Sequence, residues 1–377
     1  MNASAPEPEM FFPSLDSLES AIWPGFSIAV FIASAAIVDL VVILAARWKL
    51  VDLPNLRSAH ALPTARGGGI AIVATMALAS IVVAIRWPSM ALSLLGSILP
   101  AVAIGVVGAI DDIRPLRATV RLVVQGAAAI AITAAVGPIR SVSLPLLGTF
   151  DLGVAGWPIT VIWIVGLTNA FNFMDGIDGM CGGQAWVAGL VVTLMGLALW
   201  VPPLMVLGAC MAGAVAGFLV FNWHPARVFM GDVGSAFLGT FFAAMPLLFP
   251  DNLRPLAVVP FVMAVWPSIF DAGVSVVRRI WNGHNPMVPH REFFFHRLVR
   301  SGVGHDRVSL LYALLAAIGG AAGVVMLLPG VPEWVRALMP LWLVAMPAAV
   351  AWGVESRCAK IGLLAPPGAV SHAPSSS

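Results

Sequence analysis

Apolar residues fall in long runs along this chain, and polar residues are gathered between them. Runs close to the length of a membrane-crossing helix, roughly 17 to 25 residues, recur at about 25–46, 68–87, 91–110, 120–136, 157–172, 184–200, 204–221, 234–249, 255–277, 308–328 and 336–353. The pattern predicts an all-α polytopic integral membrane protein with about eleven transmembrane helices. Residues 1–360 read as one polytopic domain, and 361–377, rich in Pro, Ala and Ser, as a disordered tail.

Composition agrees with that pattern. Of 377 residues, 60% are hydrophobic and 10% charged, where a soluble domain carries roughly 25% charged residues. The net charge of +2 gives no basic field for nucleic acid. Residues 1–24 hold Glu7, Glu9, Asp16 and Glu19 and no Lys or Arg, so no secretory signal is read there. Cys181, Cys210 and Cys358 have neither metal nor disulfide spacing and read as packing residues.

The basic residues set an orientation. With the N-terminus outside, sixteen of the 20 Lys and Arg fall on the inner side, among them Arg47, Arg66, Arg114, Arg117, Arg121 and the dense set from Arg278 to Arg307; Arg86, Arg140, Arg254 and Arg336 fall outside. Inner loops are the ones that concentrate such charge, which places the C-terminus in the cytoplasm.

In that topology the unusual polar clusters share one side. Asn169-Ala-Phe-Asn-Phe-Met-Asp-Gly-Ile-Asp-Gly179 ends an apolar run with two amides and two carboxylates. A helical turn there would put Asp175 and Asp178 on one face. Gly108-Ala-Ile-Asp-Asp-Ile-Arg114 sets Asp111 and Asp112 side by side, an arrangement that needs a cation or protons; Mg²⁺ and a solvated acidic loop both fit. Arg117 and Arg121 share a helix face and read either as lipid-phosphate contacts or as inner-side anchors.

Pro63-Thr-Ala-Arg-Gly-Gly-Gly69 opens a span with backbone N–H groups suited to an anion, or with small residues suited to close packing. Farther on, Phe229-Met-Gly-Asp-Val-Gly-Ser235 places Asp232 between glycines, with Ser235 in position to cap the next span. His224, before Pro225, reads as a turn residue or as a ligand. Asp271 and Asp39 are the carboxylates within spans, and Arg278, seven residues after Asp271, is its expected partner.

The longest inner loop contains Pro289-His-Arg-Glu-Phe-Phe-Phe-His-Arg-Leu298. His290 and His296 lack the i, i+4 spacing of a helical zinc site. Basic groups beside aromatics suit a diphosphate and a base or sugar; a basic amphipathic segment on the membrane surface is the other reading.

Taken together, Arg57 to Gly69, Gly108 to Asp112, Asn169 to Gly179, Asn222 to Gly239 and His290 to Arg297 resemble, in order, the motifs of the polyprenyl-phosphate N-acetylhexosamine-1-phosphate transferases, glycosyltransferase family 4. The resemblance implies transfer of a sugar-1-phosphate from a UDP-sugar to undecaprenyl phosphate with release of UMP, at the cytoplasmic face of a bacterial inner membrane. It implies Mg²⁺ as cofactor, with Mn²⁺ as a substitute, held by Asp232 and Asp112. It casts Asp111, Asp112 and His290 as catalytic, and Thr64, Arg66, Asn169, Asn172, Asp175, Asp178, Phe229, Arg291 and His296 as substrate-binding. The resemblance is compatible with a homodimer, and no interface is legible in the sequence. The sparse histidines of the 290–297 loop look more like the O-antigen branch, whose donors include 6-deoxy-N-acetylhexosamines.

An ion-coupled secondary transporter is the rival class, since carriers use intramembrane acids and broken helices. Their polar groups belong near mid-membrane between internal repeats. Here the acids sit at span ends, and no repeat is evident.

Overall fold

The computed structural model describes residues 17–48, 51–52, 64–284 and 292–362. His290, Arg291, the first part of the Arg57 to Gly69 motif and most of the C-terminal tail lie outside the described residues.

Among the described residues, ten helices are long and apolar enough to cross a membrane. They include α1 (Ser17–Trp48), α2 (Gly69–Arg86), α3 (Pro88–Ile113), α4 (Ala118–Val136), α5 (Gly156–Met174), α6 (Met180–Ala198) and α7 (Pro202–Asn222). The eighth expected span is shorter than the rest: α8 is Asp232–Ala244, extended by a single 3-10 turn at Met245–Leu248. Beyond it run α9 (Arg254–Trp281), the seven-residue α10 (Phe294–Arg300), α11 (His305–Leu327), the short α12 (Glu333–Leu338) and α13 (Trp342–Lys360). The all-α expectation therefore holds.

The short helix is the organising element. Every residue of α8 from Val233 to Ala244 is buried, as expected of a helix apolar on all sides. It packs between α3 and α5 and touches α2 and α6. Phe237, Phe241 and Phe242 of α8 meet Phe171 of α5 and Phe261 of α9 in the core. At about 1.5 Å per residue its 13 residues fall short of a hydrocarbon layer about 30 Å thick, so its N-terminus ends inside the protein. Its neighbours bring their polar ends to that point.

Two small sheets complete the fold. Strands β1 (Val51–Asp52) and β2 (Thr64–Arg66) pair antiparallel; β3 (Ser141–Leu144) and β4 (Gly148–Asp151) form a hairpin between α4 and α5; β5 (Val228–Phe229) runs parallel to β2, Arg66 opposite Phe229. Asn222, at the end of α7, ties this region together. Its side chain accepts the Gly179 N–H and donates to the Val228 carbonyl, at 3.0 and 2.9 Å. Asp39 faces outward from α1.

Candidate active site

The start of α8 is held by a neighbouring helix. Its N-cap residue, Gly231, has φ of +76°, a conformation that costs little only for glycine, and a side chain there would run into the Asp112 carboxylate. Asp112, near the end of α3, accepts the N–H groups of Asp232 (3.0 Å) and Val233 (3.2 Å). This is the role expected of Ser235, which instead donates to the Gly231 carbonyl and accepts from Asn172. A carboxylate suits the site better than a hydroxyl, because its charge also favours the positive end of the helix. Arg66 closes on the other side, its guanidinium 2.9 Å from Asp112.

Asp111 faces the same centre. Its carboxylate accepts from the Leu116 N–H and from Arg121 (2.7 Å), and Arg121 reaches on to Asp232 at 3.3 Å. Arg121 thereby joins the Asp111 and Asp232 carboxyls. From α5, Asn172 donates to Asp232 and Ser235, each at 3.0 Å. One turn earlier Asn169 donates to Gln125 of α4 at 2.6 Å.

Asp175 belongs to this cluster and Asp178 does not, so the two do not share a face as expected. Helix α5 ends at Asp175. Burial, then the charges of Asp232 and Asp112, push the Asp175 carboxyl up to about 7, against a lowering pull from Arg66 and the Gly231 N–H. Asp178 turns instead to His224 (2.7 Å), the Ala226 N–H (3.1 Å) and His305 (3.9 Å). Burial works to raise its pKa, but the bonds from His305, His224 and Ala226 outweigh it and hold the group below the ordinary carboxylate range. His224 is thus more than a turn residue.

The glycine run packs rather than binds an anion. The N–H groups of Gly67 and Gly68 donate to the Phe229 carbonyl and that of Gly69 to Met230. A side chain at Gly69 would collide with the Gly234 backbone, so α2 and α8 touch through glycine as membrane helices often do. That contact sets Thr64, buried, and Phe229, partly buried, beside Arg66 at the edge of the acidic centre.

A cavity of about 730 Å³ leads away from this centre between α4, α5 and α9. Its walls include Ile162, Trp163, Leu167, Ile269 and Phe293, and Arg121, Asn169, Asn172, Asp232 and His296 stand at its polar part. His296 arrives on α10, its ring 4.0 Å from that of Phe295. The expected Asp271–Arg278 pair does not form. Arg278 lies 3.6 Å from Glu355 of α13, and Asp271 accepts from the start of α10. Residues seven apart on a helix are about 10 Å apart along its axis, too far when nearer partners exist.

Of the expected site residues, the structure brings together Arg66, Asp111, Asp112, Asn172, Asp175 and Asp232, with Asn169 and His296 along the cavity. Arg121 proves central to the acidic cluster, and its position in the first turn of α4, just after the acidic pair, was the available signal. His224 stands out in the sequence as a possible ligand, but its partner Asp178 and the approach of His305 come only from the fold.

Acids and guanidiniums converge at the polar part of an apolar cavity in a chain of membrane-length helices. The chain belongs to glycosyl transferase family 4. Residues 92–249 match the model of that family. The probable undecaprenyl-phosphate N-acetylglucosaminyl 1-phosphate transferase of Bacillus subtilis is 31% identical over 73% of this chain and 77% of its own length. The decaprenyl-phosphate N-acetylglucosaminephosphotransferase of Mycolicibacterium smegmatis is 32% identical over 76% and 78%. A phospho-N-acetylmuramoyl-pentapeptide-transferase from a Synechococcus species is 35% identical over a shorter stretch, 50% of this chain and 53% of its own.

Proposed function

We propose that the protein transfers an N-acetylhexosamine-1-phosphate from a UDP-sugar to undecaprenyl phosphate, releasing UMP, as the first step of a lipid-linked envelope glycan. The convergence of Asp111, Asp112 and Asp232 with Arg66 and Arg121 beside the cavity carries this reading. The prenyl chain lies in the cavity among Ile162, Trp163 and Phe293, and its phosphate meets Arg121. The nucleotide lies toward Asp175, Asp178, Thr64 and Phe229. Orientation follows the basic residues, which puts the centre on the cytoplasmic face of the inner membrane.

The donor set fits a hard divalent cation. Among the described residues four carboxyls, Asp111, Asp112, Asp175 and Asp232, face two guanidiniums, so oxygen donors outnumber the cations that meet them. All the acidic donors are oxygens, the ligands that Mg²⁺ prefers. We assign the ion to Asp232 and Asp112, with Asp111 adjacent; when bound it would neutralise oxygens of the diphosphate.

The protein's own groups then do the following. Arg121 and Arg66 draw two anions together and hold them in line. An acceptor phosphate oxygen forms a bond to the sugar-proximal phosphorus while the bond from that phosphorus to the UMP oxygen breaks. A phosphate monoester has a second pKa of about 6, so the acceptor is largely dianionic at neutral pH and needs little help from a base. Asp111 is placed to take any remaining proton. His296 stands on the donor side of the centre.

Incubation of the purified protein with UDP-sugars labelled in the sugar tests this assignment. Label is expected in the solvent-extractable lipid only when undecaprenyl phosphate is supplied. Comparing N-acetylglucosamine with 6-deoxy-N-acetylhexosamine donors decides between the N-acetylglucosamine relatives and the O-antigen branch. Label that remains water-soluble with every donor would overturn the assignment.

A further inference from the structure

A buried carboxylate away from the acidic centre holds one end of the site in place. Asp271 is fully buried within α9, where an ionised group is tolerated only when well compensated. Four donors surround it. The Phe294 and Phe295 N–H groups reach it at 2.7 and 3.1 Å, the Tyr312 hydroxyl from α11 at 2.6 Å, and the Ser275 hydroxyl at 3.4 Å.

The two N–H groups are the first of α10, whose N-cap residue, Phe293, makes no capping bond of its own. Asp271 thus does for α10 what Asp112 does for α8. The next residue, His296, stacks on Phe295 and stands at the cavity with Asn172 and Asp232. Both rings lie over Gly176, beside Asp175. On its outer side α10 is held by Arg297, which makes two bonds to Glu355 at 2.6 and 2.8 Å. A helix of seven residues has little stability of its own. Where His296 points is therefore set by what grips α10, and the inner grip is Asp271.

We infer that Asp271, with Tyr312, is a positioning residue: it fixes His296 against the Asp175–Gly176 turn so that the imidazole faces the reacting groups. This rests on the transferase reading for its kinetic consequence, but the placement of His296 is measurable without it.

The test uses the full-length protein with Asp271→Asn, Tyr312→Phe, His296→Gln and the double variant Tyr312→Phe/His296→Gln. The first readout is the rate at which diethyl pyrocarbonate modifies His296, followed by mass spectrometry with His284 as internal reference. Loss of one hydrogen bond to a charged acceptor corresponds to roughly tenfold in a local equilibrium, so the modification rate at His296 is expected to rise several-fold in Tyr312→Phe and more in Asp271→Asn, with His284 unchanged. The second readout is turnover. Asp271→Asn and Tyr312→Phe are each expected to lower kcat by about tenfold or more with KM for each substrate within about twofold, and Tyr312→Phe is expected to add little in the His296→Gln background.

His296 modified at the wild-type rate in both variants would overturn the inference. So would a kcat loss from Tyr312→Phe that is equal in the two backgrounds, the mark of a purely structural role. If Asp271→Asn does not fold, Tyr312→Phe alone decides. A wild-type protein that releases no UMP counts against the transferase reading, and the modification rates still decide this one.

Discussion

Asp112 of α3 accepts the backbone N–H of Asp232 at the first residue of α8. Two acids 120 residues apart are thereby joined so that one orients the helix bearing the other. Asp112→Asn keeps the shape but halves the acceptor character and removes the charge facing Arg66. Turnover is expected to fall by at least about a hundredfold, with a loss of stability near the 1 kcal/mol typical of a helix cap, read as UMP release and as thermal unfolding in detergent.

Gly231 makes that joint possible. Gly231→Ala places a methyl group against the Asp112 carboxylate and strains a backbone at φ +76°. The variant is expected to lose most activity and about 1–2 kcal/mol of stability, whereas alanine at Gly273, which has open space around it, is expected to be stable. Melting curves of the two proteins side by side check this.

Arg121 spans Asp111 and Asp232 at the polar part of the cavity. Arg121→Ala is expected to raise KM for undecaprenyl phosphate by about tenfold or more, the value of a charge-assisted bond, with KM for the UDP-sugar changed much less. Arg121→Lys keeps the charge but not the two-sided reach and should fall between. Equal effects on both substrates would contradict the placement of the lipid phosphate.

Asp175 supplies a pH dependence. Its carboxyl titrates at about 7 in the folded protein against 3.8 ordinarily. Between those values the folded state binds the extra proton, so raising pH through this window ionises Asp175 and lowers stability. Without divalent cation the protein is expected to melt at a lower temperature at pH 8 than at pH 5.5. The rise in melting temperature on adding Mg²⁺ is expected to be larger at pH 8, and Asp175→Asn should flatten the difference.

Much of this was legible along the chain. Asp111, Asp112, Asn172, Asp175 and Asp232 stood out because charge and amide groups at the ends of apolar runs are costly, and the structure gathers all five. What the sequence could not show were contacts made by the fold. Capping rules are local and point to Ser235 for α8, whereas Asp112 supplies the cap from another helix. Periodicity alone points Arg278 at Asp271, while α13 brings Glu355 closer. The glycine run suits either an anion or close packing by sequence, and the fold decides for packing because the Phe229 and Met230 carbonyls occupy its N–H groups. Ten of the eleven expected spans are membrane-length helices among the described residues, but the short α8 matters most, since its early end creates the site.

The measurement that bears most directly on the central claim is UMP release from UDP-N-acetylglucosamine and related UDP-sugars by the purified protein, with undecaprenyl phosphate and Mg²⁺ each present or withheld, beside Asp232→Asn. UMP is expected only when lipid and metal are both present, and to be lost in the variant while folding is retained. Equal UMP release by wild type and Asp232→Asn, or none from a folded wild-type protein with any donor, would contradict the account and redirect attention to transport across the membrane.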